Sequence, residues 1–147
     1  MRIVPYSGGF RKRANITRMG ANQFAVDGLP DDDIWKTEPQ IFGKNTVHLA
    51  IVDNFLCVAL EVKDADPLQN NFKGDKTFEG DAFEIAFSTD KDAPQKRQRY
   101  MSTDQHLGFA LGNVISAWNW RKEEPLQKTK YAAQKTQTGY IFEAKID

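Results

Sequence analysis

The sequence predicts an all-β protein, an antiparallel β-sandwich of two packed sheets in the immunoglobulin or jelly-roll manner. Three observations carry that prediction. Apolar residues recur at alternate positions in short runs, VHLAIVDNFLCVALEV, FEIAFS and GYIFEAKI, which is the period of a strand with one buried face. Turn residues separate such runs at hairpin spacing, Asp53-Asn54 in the first and Thr136 to Gly139 before the last. No stretch sustains a helical period, and a chain of 147 residues suits one core better than two.

Taken in order, residues 1 to 22 carry Gly8, Gly9 and the basic cluster Arg11, Lys12, Arg13, and read as an N-terminal arm or edge strand. Residues 23 to 147 read as the sandwich domain. Within it Phe24 and Val26 alternate as a short strand, and Asp27-Gly28 turns the chain. Asp31 to Asp33 then cap a short helical turn that holds Trp35 as a plug for the core. The hairpin at Asp53-Asn54 follows. Its second strand sets Leu56, Val58, Leu60 and Val62 on one face and Cys57, Ala59, Glu61 and Lys63 on the other.

Polar residues from Pro67 to Thr77 predict a surface loop, and loops beside rigid strands often carry function. The next strand, 81 to 88, repeats the two-sided design: Phe83, Ile85 and Phe87 on one side, Ala82, Glu84 and Ala86 on the other. A further strand is expected at Tyr100 to Thr103, with a turn at Asp104 to His106. The last hairpin turns Tyr140, Phe142, Ala144 and Ile146 inward and Glu143 and Lys145 outward. The small-residue faces around Glu61, Glu84 and Glu143 are expected to share the outer side of one sheet.

Lys plus Arg number 20 and Asp plus Glu number 20, so the formal net charge is zero and no global field draws the chain to nucleic acid or an anionic membrane. No apolar stretch is long enough for a membrane span or a signal-peptide core. Cys57 is the one cysteine, excludes an internal disulfide, and reads as a small buried hydrophobe. No GxSxG, P-loop or GxGxxG stretch is present, and His48 and His106 stand in no zinc motif, so an enzyme is not expected.

What remains is recognition. A carboxylate at Glu84 in a clearing of alanines leaves room for a flat ligand and can accept hydroxyl hydrogen bonds, each charge-assisted bond worth roughly 1.5–3 kcal/mol when well made. The competing reading is a solvated carboxylate paired across strands with Lys63 or Lys145, worth under ~1 kcal/mol. Trp118 and Trp120, at i and i+2, share a face if extended, and flat indoles suit the C–H faces of sugar rings.

Four segments in one order, VDGLPDDDIW, HLAIVDNFLCVALEVKDAD, FEGDAFEIAF and TGYIFEAKI, resemble the family 9 carbohydrate-binding modules. The resemblance covers residues from about 24 to 147. It implies a non-catalytic sugar-binding β-sandwich linked to polysaccharide catabolism, an appendage of secreted enzymes and so secreted or periplasmic, with a sugar or oligosaccharide as partner. It places an aromatic that stacks on a sugar at Phe78, the hydroxyl-binding carboxylate at Glu84, and a sugar-contacting arginine at Arg97 or Arg99. The family's second stacking aromatic comes from strands beyond the point where this chain stops, at Asp147, which leaves Trp118 or Trp120 to replace it. Some members bind Ca2+, for which Asp64 and Asp81 are the candidate ligands; both could equally cap strand ends. The alternative is a structural or protein-interaction relative that has lost the sugar clamp and forms a homodimer through an exposed sheet edge.

Overall fold

A computed structural model of the chain describes residues 2–3, 16–64, 66, 68–94 and 99–147. These residues form eleven strands, β1 (Arg2–Ile3), β2 (Thr17–Met19), β3 (Gln40–Phe42), β4 (Asn45–Val52), β5 (Phe55–Val62), β6 (Ala82–Ser88), β7 (Asp104–Ala110), β8 (Ala117–Asn119), β9 (Glu124–Pro125), β10 (Lys130–Lys135) and β11 (Tyr140–Ile146). The helical content among the described residues is two 3-10 turns, Asp33–Lys36 and Gly74–Glu79. None of the described helices is long and apolar enough to cross a membrane.

The strands make two sheets, each in its own compact unit. One unit is built on Gln69–Leu126 and carries the order β1-β6-β7-β8-β9; the other is built on Asn15–Leu68 and Gln127–Asp147 and carries β10-β11-β5-β4-β2, with β3 also paired to β4. Pairing is antiparallel throughout except between β2 and β4, which run parallel.

Both predicted hairpins form. The first turns at Asp53, whose φ of 55° is the left-handed conformation a two-residue hairpin demands, and aspartate tolerates it better than most residues. The last, β10 to β11, pairs Lys135 with Tyr140 and Lys130 with Lys145. At its turn Gly139 runs so close to the β5 backbone that a Cβ would stand 1.8 Å from the Val62 carbonyl oxygen.

In the second unit the sheet is buried on both faces, and this corrects one expectation. Leu56, Val58, Leu60, Phe142, Ala144 and Ile146 fill one face as read. The face of Ala50, Val52, Cys57 and Ala59 is also closed, by Phe24 and Ile34 from the segment that precedes β3, with Val26 and Trp35 packed against them. Phe24 and Val26 lie on irregular chain rather than a strand, and Trp35 does plug a core, though a small one belonging to this sheet.

Glu143 lies on this same small-residue face, opposite Ala59, and is fully buried there where an exposed carboxylate was expected. It survives there because Oε2 accepts from the backbone N–H of Asp27 (3.1 Å) and Gly28 (2.8 Å), and Oε1 from Trp35 Nε1–H (2.9 Å). A buried charge needs such partners. Burial still pushes its carboxyl above the ordinary range, the Trp35, Gly28 and Asp27 donors pulling it only part of the way back. The carboxylate thus ties the 24-to-35 segment to β11, which holds the lid on the sheet. Asp32 does not cap its helical turn through its side chain; its carboxylate reaches back to the Ala25 N–H at 2.8 Å.

The first unit holds two further differences. Residues 100 to 103 form a turn, with Asp104 N–H donating to the Met101 carbonyl, and the strand starts at Asp104 where a turn was expected. The polar stretch before β6 is not loose: it contains the second 3-10 turn, and its Asn70 and Thr77 are buried.

Candidate functional site

The strand register of the first unit assembles a face of small residues around Glu84. Ala82 pairs with Ala110, Glu84 with Gly108, Ala86 with His106, and Gly108 with Trp118. Because paired residues in a sheet share a side, these residues line one face together. The other face carries Ile85, Phe87, Leu107 and Phe109, all buried. Glu84 and Ala86 remain exposed. The expectation for this strand, bulky side in and alanine side open, matches the structure here, while the same expectation fails for the second sheet. Glu84 and Glu143 accordingly stand on different sheets.

Gly108 opens a seat on that face, and Trp120 fills it. A Cβ at Gly108 would stand 2.2 Å from Cη2 and 2.5 Å from Cζ3 of the indole, so the ring lies where only a glycine leaves room. Three contacts orient it. Its Nε1–H donates to the Asp75 carbonyl at 2.9 Å, its backbone N–H donates to the His106 carbonyl at 3.0 Å, and its ring sits 4.7 Å from the His106 imidazole. Phe78 approaches from the 3-10 turn with ring centroids 6.3 Å apart and planes tilted by 57°, and keeps 57% of its surface exposed. The two rings make an aromatic surface open on the Phe78 side.

Beside it, Glu84 Oε2 and His106 Nε2 lie 3.0 Å apart. With both side chains partly in water the pair adds little stability. Its effect is positional: it aims the carboxylate, and Oε1 has no partner among the described residues. The cross-strand partner is thus His106. Lys63 and Lys145, the candidates offered by sequence, belong to the other unit, where Lys145 lies over the Phe55 ring.

The segment that presents Phe78 is fixed before any ligand arrives. Asn70, 1% exposed, donates through Nδ2 to the carbonyls of Thr77 and Asp81 (both 2.8 Å) and accepts the Phe72 N–H at 2.8 Å. Thr77 Oγ1–H donates to the Gly74 carbonyl, and Gly74 N–H to Ser116 Oγ. A preordered loop loses less freedom on binding.

Of the residues singled out in the sequence, Phe78, Glu84 and Trp120 come together. Trp118 is half-buried on the same face and lies against Gly74 at the start of the 3-10 turn. Arg99 is exposed, with no hydrogen bond or ion pair to Glu84 among the described residues. Arg97 lies outside the described residues. Asp81 Oδ2 accepts the Gln69 N–H and Asp64 Oδ1 the Asp66 N–H, and among the described residues no three His, Cys, Asp or Glu gather as a metal would require. Sequence reasoning missed His106 and Gly108. The signal was there: in HLGFAL, His106, Gly108 and Ala110 alternate with Leu107, Phe109 and Leu111, the same bulky-and-small design as around Glu84.

The sequence matches the family described as carbohydrate family 9 binding domain-like over residues 20–147, a span that includes every residue of this site. The chain belongs to that family. Among solved structures, this family 9 domain is similar to a carbohydrate binding module of family 9 from Caldicellulosiruptor kristjanssonii in complex with cellotriose. The TM-score is 0.64 at 19% identity, covering 90% of this chain and 67% of that one. It is also similar to a family 9 module from the same organism in complex with glucose, with TM-score 0.60, 21% identity, and coverage of 88% and 68%. At such identity the likeness establishes the fold: the all-β sandwich class predicted from the strand pattern. No curated protein sequence matches the chain.

Proposed function

We propose that this family 9 domain binds carbohydrate on the open face of the β6–β7–β8 sheet, without catalysing a reaction. The observation that carries the reading is the placement of Phe78 and Trp120 beside a carboxylate with an uncommitted oxygen, on a face otherwise lined by alanine and glycine. A pyranose ring has an apolar C–H face and a rim of hydroxyls, and this surface offers a complement to each. Phe78 provides the exposed stacking ring and Trp120 its rigid flank. Glu84 Oε1 accepts a hydrogen bond from a sugar hydroxyl, with His106 holding the other oxygen in place. Family membership and the sugar complexes of the two solved relatives support the ligand class. The same membership supports, as part of this reading, a role in polysaccharide breakdown outside the cytoplasm.

Titration calorimetry with glucose, cellobiose, cellotriose and the corresponding xylo-oligosaccharides tests this. Binding is expected for at least one of them, reduced about five-fold or more by Phe78→Ala and by Glu84→Ala, a stacking ring and a charge-assisted hydrogen bond each being worth upwards of ~1 kcal/mol. Circular dichroism should show both variants folded. Absence of heat with every sugar, or unchanged isotherms for both variants, would remove the assignment.

A further inference from the structure

The hairpin turn that carries Trp120 holds its next residue, Arg121, against an aromatic ring. The Arg121 guanidinium lies 4.4 Å from the centroid of the Tyr100 ring, which is 60% exposed. The turn is rigid at this point. Asn119, 2% exposed, accepts the backbone N–H of Arg121 (2.9 Å) and Lys122 (3.2 Å) on its Oδ1 and donates through Nδ2 to Gln105 (2.9 Å). Two carboxylates sit in the same hairpin, yet neither pairs with Arg121: Glu124 faces Lys122 at 3.9 Å, and Glu123 makes no ion pair among the described residues. The guanidinium is therefore oriented by an aromatic face while its N–H donors lack an acceptor among the described residues. Arg99, exposed beside Tyr100, adds a second positive charge in a chain whose net charge is zero.

We infer that Arg121 on its Tyr100 platform is a subsite for a carboxylate, so that the domain prefers saccharides bearing a uronic acid over neutral ones. The inference rests on the sugar-binding reading above and extends it from sugar to acidic sugar. A planar guanidinium fixed in direction matches the two oxygens of a carboxylate with two parallel N–H bonds, which a lysine could not do. Stacking on Tyr100 removes in advance the freedom such a bond would otherwise quench. Arg121 follows Trp120 directly, with consecutive Cα atoms ~3.8 Å apart, and this adjacency in the chain is what ties the carboxylate subsite to the proposed sugar face.

The test is a ratio measured by calorimetry: the affinity for xylotriose carrying a glucuronic acid branch against that for unbranched xylotriose, at low and at high salt. Wild type should favour the acidic sugar by about ten-fold at low salt, the advantage shrinking as ionic strength rises. Arg121→Gln should bring the ratio close to one, with an unchanged melting temperature showing that the fold is intact. A wild-type ratio of one, or a ratio that Arg121→Gln leaves in place, overturns the carboxylate subsite while sugar binding stands. Silence toward both trisaccharides and toward the neutral sugars used above defeats the sugar reading and this extension together.

Discussion

Replacing Glu143 by glutamine should destabilise the protein far more than a single isosteric change suggests, and the size of the loss can be worked from its three donors. Oε2 receives two backbone N–H groups and Oε1 receives the indole N–H of Trp35. A glutamine can keep its carbonyl oxygen at the Oε2 position, but its amide then meets Trp35 Nε1–H donor to donor. One charge-assisted bond is lost, two more weaken to neutral ones, and a buried polar conflict is added. Together these cost about 2–4 kcal/mol. For a chain of this length that corresponds to a melting-temperature drop of roughly 5–15 °C. Trp35→Phe alone, which deletes the donor and keeps the ring body, should cost about 1–2 kcal/mol. In the Glu143→Gln background the same change relieves the conflict, so the two losses should fall short of additive by about 1–2 kcal/mol. The direction of the pH dependence is also fixed. Because burial raises the folded-state carboxyl above its unfolded value, the ionised form carries a penalty that is absent below the unfolded pKa and complete above the folded one. The stability advantage of wild type over Glu143→Gln should therefore shrink as pH rises through that interval. Urea unfolding followed by far-UV circular dichroism, from pH 4 to 8, reads all of these. A Glu143→Gln protein within ~0.5 kcal/mol of wild type, or strict additivity with Trp35→Phe, would refute the claim that this carboxylate fastens the 24-to-35 segment.

Three further outcomes follow from close packing and burial. Gly108→Ala should leave the fold standing but lift the Trp120 indole off the sheet, because the new Cβ meets the far edge of that ring. A shift in tryptophan fluorescence with weakened sugar binding is expected, and a normal emission spectrum with normal affinity would contradict the seat. Gly139→Ala should be much worse for stability, by about 3 kcal/mol or more, since its Cβ collides with backbone at Val62 and Asp64, which cannot swing aside; a melting curve like that of wild type would count against the β5–β11 register. Cys57 is buried and its thiol is pushed up to about 11 by that burial, so a thiol-specific chromogenic reagent should react with it only at the rate of unfolding and stoichiometrically in denaturant.

The parts of this structure that were legible in the sequence are those governed by local rules. Alternation placed β4, β5, β6 and β11, and turn chemistry placed the Asp53 and Thr136-to-Gly139 hairpins, because each depends on residues that are neighbours in the chain. The start of β7 was not legible. Asp104 to His106 is polar and looks like a turn, yet its backbone pairs with Ala86 to Ser88, and only the partner strand reveals that. Glu143 was misread for a related reason. A charged residue opposite phenylalanines on a strand implies a wet outer face, and the donors that make it tolerable come from residues 108 to 116 positions away. In the site, Glu84 and Phe78 could be named from the chain, but His106 could be linked to Glu84 only once the register set Glu84 opposite Gly108 and Ala86 opposite His106.

The two sheets show that a face of alanines does not by itself announce a binding surface. Ala50, Cys57 and Ala59 on one and Ala82, Glu84 and Ala86 on the other are built to the same design, and their fates are opposite. The difference lies in the segment delivered to each. The 24-to-35 stretch brings Phe24, Ile34 and Trp35 with an anchoring carboxylate, enough apolar surface to close the face. The 69-to-81 stretch brings mostly polar residues, folds its one buried amide into its own backbone through Asn70, and delivers Phe78 with more than half of its surface uncovered. An aromatic of that size left exposed beside a second ring, on a loop pinned by several hydrogen bonds, costs solvation that packing could have recovered. A ligand that covered it would recover that free energy, which is why the proposed sugar site falls on the open face and not on the closed one.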